Sequence, residues 1–259
     1  MKGELIGVGD AQLYYEVRGS GDPLLLVVGL TGDAGWFEPL AELLAEHFTV
    51  VTYDRRANSR SPRPPGWTST TIGEQADDAA GLLAALGLTP AVVFGNSLGA
   101  LIALEVVLRH PQTVRRAIAH EPALYALFPE AQDLIGLWRA RLAKGGPDYA
   151  AHVLTGLTRD DVSDGLDGGM KTRVLDNGEV TVGVEMPAAL AYAPDTRALA
   201  RSSVPIVVAA GEEAEMFYYG ASRWLARRLG ADLHELPGGH IGYVDVPDDF
   251  ARALGPLLE

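Results

Sequence analysis

The sequence contains no cysteine. Disulfides, thiolate metal sites and thiol nucleophiles are therefore excluded, and a reducing compartment suits the chain. With 259 residues, of which 47% are hydrophobic, the chain is long enough to bury a large core without such cross-links. We expect one compact domain with an insertion.

Long uncharged apolar runs are also missing, and the N-terminus has no apolar segment of the kind that a secretory signal needs. We therefore expect no membrane-spanning helix, and we expect the protein to be cytoplasmic. Basic residues are few, since 21 Lys and Arg stand against 34 Asp and Glu, for a formal net charge of -13. Such a surface repels phosphate backbones and anionic lipid headgroups, so neither nucleic acid nor a membrane is expected as a partner.

The apolar segments alternate between strand and helix patterns, which predicts an α/β fold. Residues 4–8 and 13–17 alternate as a hairpin does, and residues 24–28 are an unbroken apolar run, as in a strand buried on both faces. Further strands are predicted over 49–53, 91–94, 114–120, 205–210 and 231–236, and helices over 37–45, 72–86, 98–110, 221–229 and 247–258. This order predicts a mostly parallel eight-stranded sheet flanked by helices.

Residues 122–204 interrupt that alternation. The segment combines predicted helices around 133–142 and 188–192 with a Gly/Asp-rich stretch of loop composition over 160–169. We interpret it as a cap (lid) inserted over the carboxyl edge of the sheet. The core then consists of residues 1–121 and 205–259.

The clearest motif follows the predicted strand over 91–94, where Gly95-Asn96-Ser97-Leu98-Gly99 has the pattern G-x-S-x-G. Between a strand and a helix this pattern is typical of a nucleophile elbow, a sharp turn that exposes a serine above the sheet. Gly95 and Gly99 supply the neighbours without bulk that the turn requires. A serine there can also simply cap a helix. The strand and the helix on either side favour Ser97 as a catalytic nucleophile.

A nucleophilic serine requires a base, and His240 is the candidate. It ends Pro237-Gly238-Gly239-His240, a loop after the last predicted strand, and it follows the serine in the chain order expected after such an elbow. For the oxyanion we expect two backbone N–H donors. These are Leu98, directly after the nucleophile, and Leu30, in the glycine-rich loop after the third strand.

Five residues near these elements are candidates for the substrate pocket. They are Gly29, Trp36, Phe37, Pro122 and Phe217. The adjacent aromatic residues Trp36 and Phe37 either line an apolar pocket or pack the first helix, and the sequence leaves both alternatives open.

The acid that orients the histidine is less obvious. Triads on this kind of fold usually carry an Asp within Gly-x-x-Asp after the seventh strand, but here the corresponding position is Ala214. The alternatives in that loop are Glu212, Glu213 and Glu215. A further candidate is Glu121, directly after the sixth strand, whose end lies beside the elbow strand and within reach of His240. We favour Glu121 because a glutamate next to the vacated position would need an adjusted backbone to reach the imidazole.

On these residues the chain resembles the α/β-hydrolase superfamily over nearly its whole length, which implies the α/β-hydrolase fold. Within it, the zearalenone lactonases are similar in Gly95-Asn96-Ser97, in His120-Glu121, and in Pro237-Gly238-Gly239-His240 with Tyr243-Val244 and Pro247 behind it. That resemblance implies a triad of Ser97, Glu121 and His240 with oxyanion amides at Leu30 and Leu98. The cap departs from the group, because the tryptophan that covers the macrolactone would fall near Thr181 or Val182, where none is present.

We therefore expect a serine esterase or lactonase that hydrolyses small, largely apolar esters or lactones through an acyl-enzyme. The expected lactones include macrolactones such as zearalenone. The nucleophile is not Asp, which counts against epoxide hydrolases and haloalkane dehalogenases, and no metal or organic cofactor is implied. Two alternatives stay open. One is a non-hydrolytic natural-product tailoring enzyme, a cyclase or isomerase that retains activity without Ser97, and the other is a ligand-sensing protein that binds without turnover.

Overall fold

The computed structural model describes residues 3–128 and 168–259, and between these ranges only Gly136, Ala140 and Ala143. Its strands are β1 (Glu4–Val8), β2 (Ala11–Arg18), β3 (Asp22–Val27), β4 (Phe48–Tyr53), β5 (Ala91–Asn96), β6 (Val114–His120), β7 (Ile206–Gly211) and β8 (Leu233–Leu236). They form one sheet in the order β1-β2-β4-β3-β5-β6-β7-β8. The β1–β2 and β2–β4 pairs are antiparallel, and the remaining pairs are parallel. The predicted mostly parallel, eight-stranded sheet is confirmed.

Helices connect and flank the strands. They are α1 (Glu38–Leu44), α2 (Ile72–Ala85), α3 (Leu98–Arg109), α4 (Gly168–Asp176), α5 (Gly178–Val180), α6 (Met186–Ala191), α7 (Thr196–Ala200), α8 (Met216–Leu229), α9 (Gly242–Asp245) and α10 (Pro247–Leu258). A π-helical turn at Thr181–Glu185 joins α5 to α6, and 3-10 turns lie at Ala34–Phe37, Pro111–Thr113 and Tyr125–Leu127. Within the described ranges, no helix is both long and apolar enough to cross a lipid bilayer.

The two faces of the sheet carry separate apolar clusters, and β3 shows how the sequence builds both. Leu25 and Val27 belong to the cluster that includes side chains of α2, α3 and α8. Leu24 and Leu26 belong to the other cluster, together with side chains of α1 and α10. Because successive strand side chains point to opposite faces, an unbroken apolar run is what a strand covered on both sides requires.

The helix after β7 is longer than its sequence pattern predicts. It begins at Met216 instead of Ala221 and ends before Gly230, which has a φ of 67°. The added turn contains Phe217 and Tyr218, aromatic residues of modest helix propensity. Tertiary packing outweighs that propensity, because the Phe217 ring stacks on Tyr125 with 5.3 Å between centroids.

Part of the predicted cap can be compared with the structure. The helix expected over 188–192 corresponds to α6 (Met186–Ala191). The helix around 133–142 and the loop over 160–169 fall largely outside the described residues, and the last two positions of that loop are helical instead.

The described end of this segment is bonded to loops at the carboxyl edge of the sheet. Arg173 Nε donates to Asp33 Oδ2 at 2.7 Å, and Asn177 Nδ2 donates to the Thr31 carbonyl at 2.6 Å. Glu185 forms a fully buried ion pair with Arg55, a residue that follows β4. The segment therefore lies against the edge where the predicted catalytic loops also lie.

Candidate active site

Ser97 occupies a strained turn between β5 and α3. Its φ is 58° and its ψ is -117°, a conformation that costs free energy for any residue other than glycine. The turn also admits no bulk beside it, because a Cβ added to Gly95 would lie 2.1 Å from the Gly99 carbonyl oxygen. The Ser97 amide donates to the His120 carbonyl at 3.0 Å, which ties the elbow to β6. The geometry is that of a serine held at the carboxyl edge of the sheet, with 5% of its surface exposed.

Glu121 and His240 form a direct pair at the same edge. Glu121 follows β6, is fully buried and has a φ of 47°. Its Oε2 lies 2.5 Å from Nδ1 of His240, and its Oε1 accepts a hydrogen bond of 2.8 Å from the Gly211 amide. Both carboxyl oxygens are thus held, one by the imidazole and one by the backbone at the end of β7.

The electrostatics of this pair favour an ionised glutamate. Burial raises the pKa of Glu121, but the hydrogen bonds from His240 and from the Gly211 amide contribute to holding the pKa below its ordinary value. An ionised carboxylate only accepts hydrogen bonds, so Nδ1 of His240 must carry the proton. The lone pair of the neutral ring is then on Nε2, as a general base requires.

The loop after β7 holds its three glutamates differently. Glu212, Glu213 and Glu215 are all exposed. The amides of Glu212 and Glu213 donate to the carbonyls of Leu236 and Gly238, and these backbone bonds fix the loop against the chain that leads to His240. Among the described residues, the carboxylate bonded to the imidazole is that of Glu121.

Asn96, directly before the serine, links the elbow to the histidine loop. Its Nδ2 donates to the His240 carbonyl at 3.0 Å and lies 2.9 Å from Nδ1 of His120. Its Oδ1 accepts a hydrogen bond of 3.1 Å from the Tyr243 hydroxyl. The sequence motif contains this residue, but its bonding is visible only once the loops meet. Asn96 fixes the backbone that carries His240.

The glycine-rich loop after β3 passes directly beside Ser97. A Cβ added to Gly29 would lie 3.0 Å from the Ser97 Cβ, so the backbone reaches the serine only because glycine is there. Leu30, whose amide is the predicted oxyanion donor, follows it. The carbonyl of Gly29 accepts a 2.7 Å hydrogen bond from Nη2 of Arg55, which also pairs with Glu185. One buried arginine therefore joins this loop to the π-helical turn.

Four other predicted pocket residues have different surroundings. Phe37 is fully buried and packs on Phe94 and Tyr243, which corresponds to the packing alternative. Trp36 is also buried, and its Nε1–H donates to Thr31 Oγ1 at 3.0 Å. Pro122 is buried directly after Glu121. Phe217 is half-buried and contacts Tyr218, with 5.1 Å between their rings.

Tyr218 is a site residue that the sequence patterns did not indicate. Its ring stacks on the His240 imidazole with centroids 3.9 Å apart and 22° between the planes. Its hydroxyl lies 3.1 Å from that of Tyr125. Its position in the sequence could have identified it, because a large side chain soon after β7 lies at the same edge of the sheet as Ser97. The late predicted start of α8 obscured it.

His120 is a second residue whose environment the sequence did not reveal. It is fully buried, it packs between Phe94 and Phe250, and its Nε2 has no hydrogen-bond partner among the described residues. Burial lowers the pKa of His120 to about 4, despite the opposing charge of Glu121. The ring therefore stays neutral in the folded protein at neutral pH.

This burial predicts a pH-dependent stability. Below a pH of about 6.5, the pKa of a histidine in the unfolded chain, His120 is protonated in the unfolded protein but stays neutral in the folded one. The folded-state pKa is depressed, so the free energy of unfolding should fall as the pH drops from about 6.5 to about 4, by up to about 3 kcal/mol from this group. Urea unfolding across this range should show a shallower pH slope in His120→Asn than in the parent, whereas the same change at the exposed His47 leaves the slope intact. Equal slopes in parent and His120→Asn would contradict the prediction.

Comparisons with known proteins agree with this architecture. The family model described as the alpha/beta hydrolase fold matches residues 22–168. The chain is 35% identical over 259 residues to YraK of Bacillus subtilis (strain 168), named as an uncharacterised hydrolase, with 96% of this chain and 93% of that protein covered.

Two solved structures share the fold. A thermophilic esterase from Thermogutta terrifontis has a TM-score of 0.80 at 23% identity, covering 100% of this chain and 98% of the other. The enol-lactonase from Burkholderia xenovorans LB400 has a TM-score of 0.80 at 21% identity, covering 98% and 99%. With the matched family model and the sheet order, these findings confirm the fold class that the motifs predicted. The chain belongs to the α/β-hydrolase family.

Proposed function

We propose that this protein is a serine hydrolase of carboxylic esters or lactones, with Ser97 as nucleophile, His240 as general base and Glu121 as the acid that orients the base. The observation that supports it most is the pair of Glu121 Oε2 and His240 Nδ1 at 2.5 Å, beside a serine with a φ of 58°. A strained serine alone is compatible with a structural turn. A buried carboxylate that fixes the imidazole tautomer is what a base at this position requires.

The proposed reaction has two steps. His240 Nε2 takes the Ser97 proton as Oγ attacks the substrate carbonyl carbon, and the imidazolium then gives that proton to the leaving alkoxide as the acyl-enzyme forms. Water attacks the acyl-enzyme in the second step. His240 accepts a proton from this water and returns it to Ser97 as the carboxylic acid departs. Glu121 remains ionised throughout and stabilises the positive charge on the ring.

Two backbone amides are proposed to hold the oxyanion. Leu98 is the first residue of α3, so its N–H has no partner within the helix and lies at the positive end of the helix dipole. Leu30 follows Gly29, whose close approach to Ser97 brings the loop to the reacting carbonyl. The hydrogen bond from Arg55 to the Gly29 carbonyl holds this loop in place. Such fixed donors stabilise the transition state because they need no reorganisation when charge develops.

The proposal includes a cap over residues 122–204 that covers the site. It is supported by the bonds of Arg173, Asn177 and Glu185 to loops at the carboxyl edge of the sheet. Tyr125, near the start of this segment, and Phe217 of the core are stacked next to Tyr218. Aromatic surface thus lies next to the proposed base, and it favours substrates with apolar acyl or lactone portions.

This environment predicts a measurable substrate preference. We expect kcat/KM for p-nitrophenyl octanoate to exceed that for the acetate by about tenfold or more, since buried methylenes each contribute on the order of 0.8 kcal/mol. The matched control for charge is p-nitrophenyl hemisuccinate against the butyrate, where the charged ester should be the slower because the carboxylate is costly to desolvate. The same measurement of kcat/KM is made with lactones, including the aromatic macrolactone zearalenone, and is compared with the value for the acetate ester.

The same substrates separate the rival functions. Turnover of activated esters by the parent supports the hydrolase. Tight binding of esters without turnover would indicate a sensor. Turnover that survives Ser97→Ala would show that Ser97 is not the nucleophile, as the cyclase or isomerase alternative expects. A preference for acetate or hemisuccinate would contradict the apolar substrate class while leaving the hydrolytic reaction in place.

A further inference from the structure

The aromatic residue Tyr218 packs on the proposed base and lies near the proposed nucleophile. Its ring covers one face of the His240 imidazole, with 3.9 Å between centroids. Its hydroxyl lies 3.1 Å from the Tyr125 hydroxyl, and the Ser97 side chain is close enough to the phenol to oppose the rise of its pKa. This side chain therefore packs on the base and lies close to the nucleophile, from a helix that carries neither of them.

We propose that Tyr218 is a fourth catalytic residue, whose ring stabilises the imidazolium form of His240 and whose hydroxyl donates a hydrogen bond to Ser97 Oγ as negative charge develops there. The inference rests on the proposed function. It adds a hydrogen-bond donor to the nucleophile oxygen, whereas His240 acts there as a base and the two oxyanion amides act on the substrate oxygen.

The ring contribution follows from the change of charge on the base. In the ground state the imidazole is neutral, whereas it is positively charged in the tetrahedral intermediate. The negative face of an aromatic ring attracts a cation more strongly than a neutral group. A ring stacked on His240 therefore stabilises the transition state more than the ground state, and such differential binding accelerates the reaction.

The hydroxyl contribution follows from where the phenol keeps its proton. Burial raises the pKa of Tyr218 to about 12, so the phenol stays protonated near neutral pH and acts as a donor, not as a competing base. Charge grows on Ser97 Oγ when its proton passes to His240, and it grows there again when Oγ leaves the acyl-enzyme in the second step. A donor at this oxygen stabilises both transition states.

Tyr125 gives the phenol its orientation. Its hydroxyl is fully buried and adjacent to that of Tyr218, and its ring stacks on Phe217 with 11° between the planes. If Tyr125 donates to the Tyr218 oxygen, the proton of Tyr218 is directed towards Ser97. The aromatic cluster thus fixes the hydroxyl before substrate binds, which lowers the cost of using it in the transition state.

Two variants separate the ring from the hydroxyl. Tyr218→Phe keeps the stacked ring and removes only the donor, and its kcat should fall about tenfold with KM within about threefold, as for one lost hydrogen bond. Tyr218→Leu removes both, and its kcat should fall on the order of 100-fold, because a desolvated cation–π contact adds a comparable amount. Tyr219→Phe is the matched control. The Tyr219 hydroxyl bonds to Glu235 at the surface, and this variant should retain the parental kcat.

The measurements are ester turnover and the rate at which a fluorophosphonate labels Ser97, with thermal unfolding of each variant alongside. If Tyr218→Phe retains kcat within about twofold of the parent, a change smaller than a lost hydrogen bond, the inference is overturned. A Tyr218→Phe variant that changes only KM overturns it as well. The Tyr218→Phe result decides even if Tyr218→Leu does not fold. If the parent itself is not labelled at Ser97, it is the proposed function that has failed, whereas a labelled parent with an unaffected Tyr218→Phe removes only Tyr218.

Discussion

Replacing Ser97 with alanine is expected to reduce ester hydrolysis by about 10⁶-fold and to abolish labelling by a fluorophosphonate, since a triad without its nucleophile retains only the rate that binding and the oxyanion donors provide. The parent should carry the label on Ser97, which peptide mapping by mass spectrometry identifies. Serine and alanine both carry a Cβ, so the substitution adds no strain at the φ of 58°. The fold is therefore expected to persist.

The control for this variant is Ser59→Ala. Ser59 is another serine with a positive φ, 52°, and its hydroxyl accepts a hydrogen bond from Asn177 away from the catalytic pair. The substitution therefore reproduces the change of side chain and of backbone type without touching the proposed nucleophile. Activity within about threefold of the parent is expected, the scale of one neutral hydrogen bond. Labelling on any residue other than Ser97 would remove the mechanism.

The local patterns of the sequence were sufficient for most of the fold and for the elbow. The strand over Val114–His120 was predicted with the bounds that the structure has, because Pro111 ends the preceding helix pattern and a short segment with the β-branched residues Val114 and Ile118 follows it. The Gly95 and Gly99 positions predicted the sharp turn because close backbone packing tolerates no Cβ, which the 2.1 Å approach at Gly95 illustrates. Both inferences depend only on residues that are neighbours in the chain.

What the sequence could not reveal are contacts between distant segments. The bonds of Arg55 to the Gly29 carbonyl and to Glu185 join three segments of the chain. Glu185 is 130 residues from Arg55 in the sequence, and no local periodicity encodes such an ion pair. Tyr218 reaches His240 only because α8 begins a turn earlier than its propensities predict. Phe37 shows the converse, since an aromatic residue that is close in sequence to the proposed oxyanion loop is buried in the core. Proximity in sequence did not decide which aromatic residues meet the site.

Replacing Glu121 with glutamine is expected to lower kcat on the order of 10⁴-fold while the fold is retained, as when the acid of a triad is disabled with its geometry preserved. The amide oxygen can still accept from the Gly211 amide, so the NH₂ group then faces Nδ1 of His240. An NH₂ group only donates, so Nδ1 has to present its lone pair and the proton moves to Nε2. The base then points a proton, not a lone pair, at Ser97.

The matched controls are the glutamine variants of the three glutamates after β7, Glu212→Gln, Glu213→Gln and Glu215→Gln. Each removes the same single negative charge from an exposed side chain near the site. Their kcat values should stay within about tenfold of the parent, which corresponds to about 1.4 kcal/mol. If Glu121→Gln retained activity while one of these three lost it, the acid would lie in the loop after β7. The bond of Glu121 to His240 would then serve only to hold the loop after β8 against the sheet, and the similarity to Ser-Glu-His lactonases would lose its main support.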